Sequence, residues 1–190
     1  QTFNGLSKKS EVKMMSNKGY YMYAEHQGFQ IIQLPYLERS YAMYVVLPPE
    51  GADMNRLLSK MDASAYSAAM DLLSQQQVRL LLPKFKVETS MLLNDPLQKM
   101  GIKTAFTSAA DFSGIAEMGP LVLDQVKQKC YMDVSEKGTE AAAVTSVQIR
   151  LTSARPVQKV PVMRVDRPFF FVIADGDNEK ILFAGKIVNL

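Results

Sequence analysis

Aromatic and β-branched residues dominate the first fifty positions, in short runs separated by Gly, Pro and charged residues. Val12–Met15, Tyr20–Glu25, Phe29–Leu34 and Tyr41–Leu47 are therefore predicted strands, and Pro48-Pro49-Glu50-Gly51 closes the block. Helical spacing follows. Asp53–Met61 places Leu57, Leu58 and Met61 on one face, and Ser64–Ser74, capped by Asp62 or Ser64, carries Tyr66, Met70 and Leu73 as a stripe. Val78–Leu82 and Phe85–Val87 form an extended run broken by Pro83. Leu93–Met100 reads as a short helix with Asn94 as its cap, Pro96 in the first turn and Gly101 just past the end. Thr107–Gly119 is small and polar, hence a loop, and Leu121–Val134 is a predicted strand, as is the vicinity of Val160–Val165. Phe169–Ala174 and Lys180–Val188 flank the tight-turn string Asp175-Gly176-Asp177-Asn178, and their near-continuous apolar runs predict a hairpin buried on both faces.

One segment has the periodicity of a strand where a connection is needed. From Thr139 to Leu151 every second side chain is apolar or small: Thr139, Ala141, Ala143, Thr145, Val147, Ile149, Leu151. The alternate set grows more polar, ending in Gln148, Arg150 and Thr152. A flexible Ala-rich linker would have no reason to keep that alternation. The Glu136-Lys137-Gly138 junction separates this run from the preceding strand, and Gly138 permits a sharp reversal. The segment is thus written to stand exposed or to fold back beside its predecessor. Mixed strands, segregated helices and no convincing internal boundary give an α+β class for the 190 residues.

Composition narrows the function. A 47% hydrophobic content supports a core, and the net charge of +3 comes from 22 basic and 19 acidic side chains interspersed along the chain. With no basic run longer than Lys8-Lys9, neither nucleic acid nor a membrane surface is an expected partner, and no apolar run reaches membrane-spanning length. Cys130 is the single cysteine, most simply a small buried hydrophobe, so no intrachain disulfide forms. The opening Gln1-Thr2-Phe3, without an initiator Met, predicts a processed product or a fragment. An enzyme is not expected: His26 is the lone histidine, no serine sits in a Gly-x-Ser-x-Gly setting, and Lys99–Lys103 lacks phosphate-loop spacing. Asp175, Asp177 and Glu179 lack an EF-hand pattern and read as turn residues, so no metal or cofactor is expected.

A series of short strings, in order, carries a family resemblance: Val12-Lys13-Met14-Met15, Gln33-Leu34-Pro35-Tyr36, Val45-Val46-Leu47-Pro48, Leu82-Pro83-Lys84-Phe85, Leu97–Ile102, Ala105-Phe106 and Asp111–Ile115. Beyond the alternating segment come Arg167-Pro168-Phe169 and Phe183–Asn189, and the hinge string itself is Glu136–Ala143. Together these make the chain resemble the C-terminal half of a serpin, from about Val12 to Leu190. The resemblance implies residues 1–190 as the C-terminal part of one serpin domain: sheets B and C, strands 5 and 6 of sheet A, and a few short helices. It places Leu121–Val134 as strand 5 of sheet A, Val78–Val87 as strand 6, and a reactive-centre loop over about 136–158. The N-terminal half, absent here, would supply strands 1 to 3 of sheet A and is an implied partner.

The implied activity is inhibition of serine, and also cysteine, endopeptidases: the loop is cleaved, then inserts into sheet A with the protease still acylated. An inserted strand of about 14 residues spans about 46 Å. At about 1 kcal/mol net for each new backbone hydrogen bond, a dozen bonds compare with a domain's whole stability of roughly 5–15 kcal/mol. The hinge residues Glu136, Gly138, Thr139, Glu140, Ala141, Ala142 and Ala143 include the small side chains that entry needs, and no proline lies between Gly138 and Ala154. Counting seventeen from Glu136 in the family spacing puts the reactive bond at Thr152–Ser153, with Arg150 and Arg155 as alternatives and Ile149, Arg150 and Leu151 in protease recognition. Thr152 favours an elastase-like target; the arginines suit a trypsin-like one. The resemblance also implies a Lys84–Glu136 ion pair where insertion begins, and it puts Gln128 where many serpins carry a histidine bridging sheet A. An extracellular or cell-surface protein is expected, with an intracellular one as the alternative. The competing readings are a non-inhibitory serpin (carrier, chaperone or simple protease substrate) and an inactive fragment.

Overall fold

Most of the aromatic runs end up in one sheet. The computed structural model describes residues 1–36, 40–115, 121–136, 160–175 and 180–190, and they divide into two units, Gln1–Phe85 with Val134–Leu190, and Lys86–Asp133. The predicted residues 137–159, which hold the alternating segment, lie outside the described residues, as does the turn 176–179.

In the first unit, β1 (Thr2–Asn4) pairs with β2 (Lys9–Glu11), and seven strands form one sheet: β3 (Met14–His26), β4 (Phe29–Pro35), β5 (Tyr41–Leu47), β6 (Ser74–Pro83), β9 (Val162–Arg164), β10 (Phe169–Asp175) and β11 (Ile181–Ile187). Their order is β11-β10-β5-β4-β3-β6-β9, antiparallel throughout except for the parallel pair β6–β9. The predicted strands Val12–Met15 and Tyr20–Glu25 are one strand, β3. Ser16-Asn17-Lys18-Gly19 has turn composition, yet β6 pairs with it without a break from Met14↔Pro83 to Tyr23↔Ser74. Tertiary pairing overrides local preference here. At its far end β3 turns into β4 through Gln27 (φ 50°) and Gly28 (φ 82°), a two-residue hairpin with both residues left-handed. Tyr23 stands at the changeover, 1% exposed; its phenol accepts from Gln30 Nε2 (2.7 Å), donates to Glu25 Oε2 (3.2 Å), and is pushed by burial up to about 12.

Two short helices cover part of this sheet. α1 (Met54–Leu58) is capped by Asp53, which accepts from the Asn55 and Arg56 amides, and α2 (Ala63–Asp71) is capped by Asp62, which accepts from Ala65 N–H. The helix expected over Asp53–Met61 stops at Leu58. Met54 is its buried residue, with Leu57 packed beside it, whereas Leu58 and Met61 are exposed. α2 seats Met70 and Leu73 as the stripe predicts, but Ser74 already belongs to β6. The family strings meet in space: Arg167 Nε donates to Pro48 O (3.0 Å), Ser7 donates to Asn189 Oδ1 from N and Oγ (3.0 and 3.1 Å), and Phe169 sits edge-on to Phe3 and Phe85.

The terminal hairpin departs from its expected burial. β10 buries Phe169, Phe170 and Phe171, but β11 is an edge strand whose Ile181, Leu182 and Phe183 are 52%, 49% and 52% exposed. Among the described residues nothing lies beyond it.

The second unit, Lys86–Asp133, rests on the pairing of β7 (Phe85–Leu92) with β8 (Lys127–Val134). α3 (Asn94–Lys99) ends in a Schellman turn: Ile102 N–H donates to Leu97 O, Gly101 N–H to Gln98 O, and Gly101 takes φ 102°. Asn94 does not cap this helix. Its Oδ1 accepts from Val126 N–H (2.9 Å) and its Nδ2 donates to Asp124 O (2.7 Å). Leu93 N–H also reaches Val126 O, and Leu123 N–H reaches Ala105 O in the 3-10 turn Thr104–Phe106. That is why the strand expected over Leu121–Val134 starts only at Lys127: the backbone of 121–126 is bonded to these groups instead of to a neighbouring strand.

Candidate functional site

Just past the end of β8, the first unit builds a small charged latch. β6 ends at Pro83, which has no N–H to extend a ladder. Phe85 opens β7, is 5% exposed and packs at 5.6 Å against Phe169. Val78–Val87, expected as one strand of sheet A, is thus divided. Residues 78–83 belong to the seven-stranded sheet, and only Phe85–Val87 belong to the β7–β8 pair. Lys84 is the single residue between them, its N–H donating to Lys13 O at 2.8 Å. Held by a buried proline on one side and a buried phenylalanine on the other, Lys84 projects to an ion pair with Glu136, two residues beyond β8. The hydrogen bond from the Lys84 ammonium holds the Glu136 carboxyl below its ordinary range. Its own backbone amide and the Lys84 and Lys13 charges pull the same way, and desolvation opposes them. With side chains 36% and 53% exposed, the latch fixes position more than it adds stability.

Of the residues singled out from sequence, the structure brings together Lys84 and Glu136. Gln128 lies exposed near the start of β8. Gly138, Thr139, Glu140, Ala141, Ala142, Ala143, Ile149, Arg150, Leu151, Thr152, Ser153 and Arg155 lie outside the described residues. Cys130 is half-buried on β8 rather than buried, and His26 is exposed at the end of β3. Sequence reading missed Lys13, whose link to Lys84 depends on strand register, and misjudged Asn94. On β7 and β8, Lys86 Nζ sits 5.0 Å from the Tyr131 ring centroid. β8 has β7 as its strand partner and no second one among the described residues. No helix among them is long and apolar enough to cross a membrane.

The class is α+β, with β8 lacking a second strand neighbour among the described residues and standing directly ahead of the long alternating segment. The family model for serpins, described as serine protease inhibitors, matches residues 1–190. The chain belongs to the serpin family. It is 38% identical over 183 residues to Iris of Ixodes ricinus, covering 95% of this chain and 48% of that protein. Among solved structures it is similar to human thyroxine-binding globulin complexed with thyroxine (31% identity, TM-score 0.80, 100% of this chain and 49% of that one). It is also similar to mouse protein-Z dependent protease inhibitor (26%, TM-score 0.80, 100% and 48%). The chain spans about half the length of the curated relatives it matches, and its mixed sheet with few helices fits a C-terminal half of the fold.

Proposed function

We propose that residues 1–190 are the C-terminal part of a single serpin domain whose whole protein inhibits serine proteases by loop insertion, the loop spanning about 136–158. The observation that carries this reading is the placement of Glu136: latched to Lys84 just beyond a strand with no second strand partner among the described residues, directly ahead of the alternating run Thr139–Leu151. Gly138 is the pivot, Thr139–Ala143 enter first, and Thr152–Ser153 is the bond offered to the protease, with Arg150 and Arg155 as alternatives and Ile149 and Leu151 aiding recognition. Thr152 favours an elastase-like target, and an extracellular or cell-surface setting is part of the same reading. Gln128 takes the bridging place in the receiving sheet.

The likeness to a thyroxine-carrying globulin supports a second reading, a non-inhibitory carrier. The small side chains at Thr139, Ala141, Ala142 and Ala143 favour the inhibitor, because bulk at those positions would block entry. The test is to mix the full-length protein with elastase-like and trypsin-like proteases and look for a complex that survives boiling in SDS. Cleavage without such a complex would sink the inhibitor reading.

A further inference from the structure

The register of β3, β6 and β9 gathers charge on one face. Lys18 stands directly opposite Arg79, so both side chains leave the same side of the sheet. Across the parallel neighbour, Arg79 is level with Val162 and Leu81 with Arg164, which adds Arg164 to that side. All three cations are exposed, and none takes part in an ion pair among the described residues. The same face carries Tyr20 (63% exposed) and Met22 on β3, Gln75 and Gln77 on β6, and Val162 (48% exposed) on β9, and no carboxylate. Like charges directly opposite on antiparallel strands repel, and no acidic side chain on these three strands shares their face to offset it. Such a surface is suited to an acidic partner.

The chain itself says which partner can reach it. Val162 follows Ser153 by about nine residues, so the bond offered for cleavage is tethered within roughly 30 Å of this face at full extension. A protease domain of roughly 200 residues is about 40 Å across. An enzyme seated on the loop therefore overlaps the reach of the patch. We infer that this face is an electrostatic docking surface for the attacking protease, and that it selects proteases whose surface beside the active-site cleft is acidic. The identity of the partner rests on the reading proposed above; the charge preference is read separately.

The test uses full-length protein and a variant combining Lys18→Gln, Arg79→Gln and Arg164→Gln, each exposed to the anionic and the cationic isoform of trypsin. Both isoforms share a preference for Arg and meet Arg150 and Arg155. The second-order rate constant for loss of intact chain is measured at low and high salt. At low salt the variant should be consumed by anionic trypsin about tenfold more slowly than wild type, and screening should shrink the gap to about twofold at high salt. Cationic trypsin should consume the variant no more slowly than wild type. A companion variant with Lys18→Arg, Arg79→Lys and Arg164→Lys should keep the wild-type rate. Equal rates with anionic trypsin would overturn the inference, as would equal slowing by both isoforms or a loss in the charge-conserving variant. Unchanged rates together with lost retention on a sulfated polysaccharide resin would also overturn it, since the face would then bind polyanions. Whether the consumed chain ends as an SDS-stable complex or as a cleaved product reports on inhibition independently.

Discussion

Gly185 offers the sharpest test of how the sheet is packed. It lies on β11 directly opposite Phe171 of β10, which on its other side faces Val45 of β5. Phe171 is 8% exposed. A Cβ added at Gly185 would lie 2.5 Å from Phe171 Cζ and 2.6 Å from Cε1, against about 3.5–4.0 Å for ordinary carbon contacts. The ring would have to move about 1 Å inside a filled sheet face, and overpacking of that kind costs about 1–3 kcal/mol. The alanine also narrows the unfolded ensemble, which offsets about 0.4–1 kcal/mol. Gly185→Ala should therefore destabilise by about 1–2 kcal/mol, or about 0.3–0.7 M in urea midpoint if m is about 3 kcal/mol/M. Equilibrium urea unfolding of the full-length protein, followed by far-UV circular dichroism, measures this. Combining Gly185→Ala with Phe171→Leu makes room for the methyl, so the double variant should lose less than the sum of the singles. A Gly185→Ala midpoint at or above wild type, or strict additivity with Phe171→Leu, would refute the packing argument.

Three further outcomes are expected. Because the Glu136 carboxyl titrates below its ordinary value of 4.5, its pairing with Lys84 is complete at neutral pH and is lost as pH falls below that value; Lys84→Gln should unfold at lower temperature than wild type at pH 7, the gap closing toward pH 4. Gln27 holds φ 50° ahead of Gly28, so Gln27→Asn should raise stability by about 0.5–1 kcal/mol by relieving a left-handed side chain in a turn that favours Asn-Gly, measured as a higher thermal midpoint. Asn94→Leu removes two hydrogen bonds to the 124–126 backbone, so it should cost about 1–2 kcal/mol and speed exchange of the Val126 amide, while Asn94→Asp, which keeps the acceptor, should protect that amide better.

The strands were legible wherever burial on one face enforced a pattern, and they were misjudged where a partner remote in sequence decided. Phe29–Leu34, Tyr41–Leu47 and Phe169–Ala174 match β4, β5 and β10 to within a residue. Ser16–Gly19 carries no strand signal of its own and is extended only because β6, some sixty residues later, supplies its hydrogen bonds. Leu121–Val126 has the composition of a strand, but Asn94 and Ala105 take its backbone groups. The latch was legible only by resemblance. Nothing in the spacing of Lys84 and Glu136 brings them together; what does so is the halt at Pro83 and the anchoring of Phe85 on Phe169. Lys18, Arg79 and Arg164, far apart in the chain, become neighbours only through register.

The failed expectation about burial is itself informative. A strand with one face on a core exposes every second side chain. On β11, three consecutive residues, Ile181, Leu182 and Phe183, are each about half exposed. The run Leu121, Val122 and Leu123 behaves alike, at 37%, 48% and 38%. Consecutive exposure means that neither face of these stretches is covered by the described residues, and apolar runs of this length do not stay in water without cost. On β11 the apolar run is written for burial on both faces, and the described residues do not supply the second cover. The chain spans about half of its relatives' length. The open side of β8 is of a different kind. Among the described residues it leaves hydrogen-bonding groups rather than apolar surface without a strand neighbour, and the next segment of this same chain alternates as a strand would.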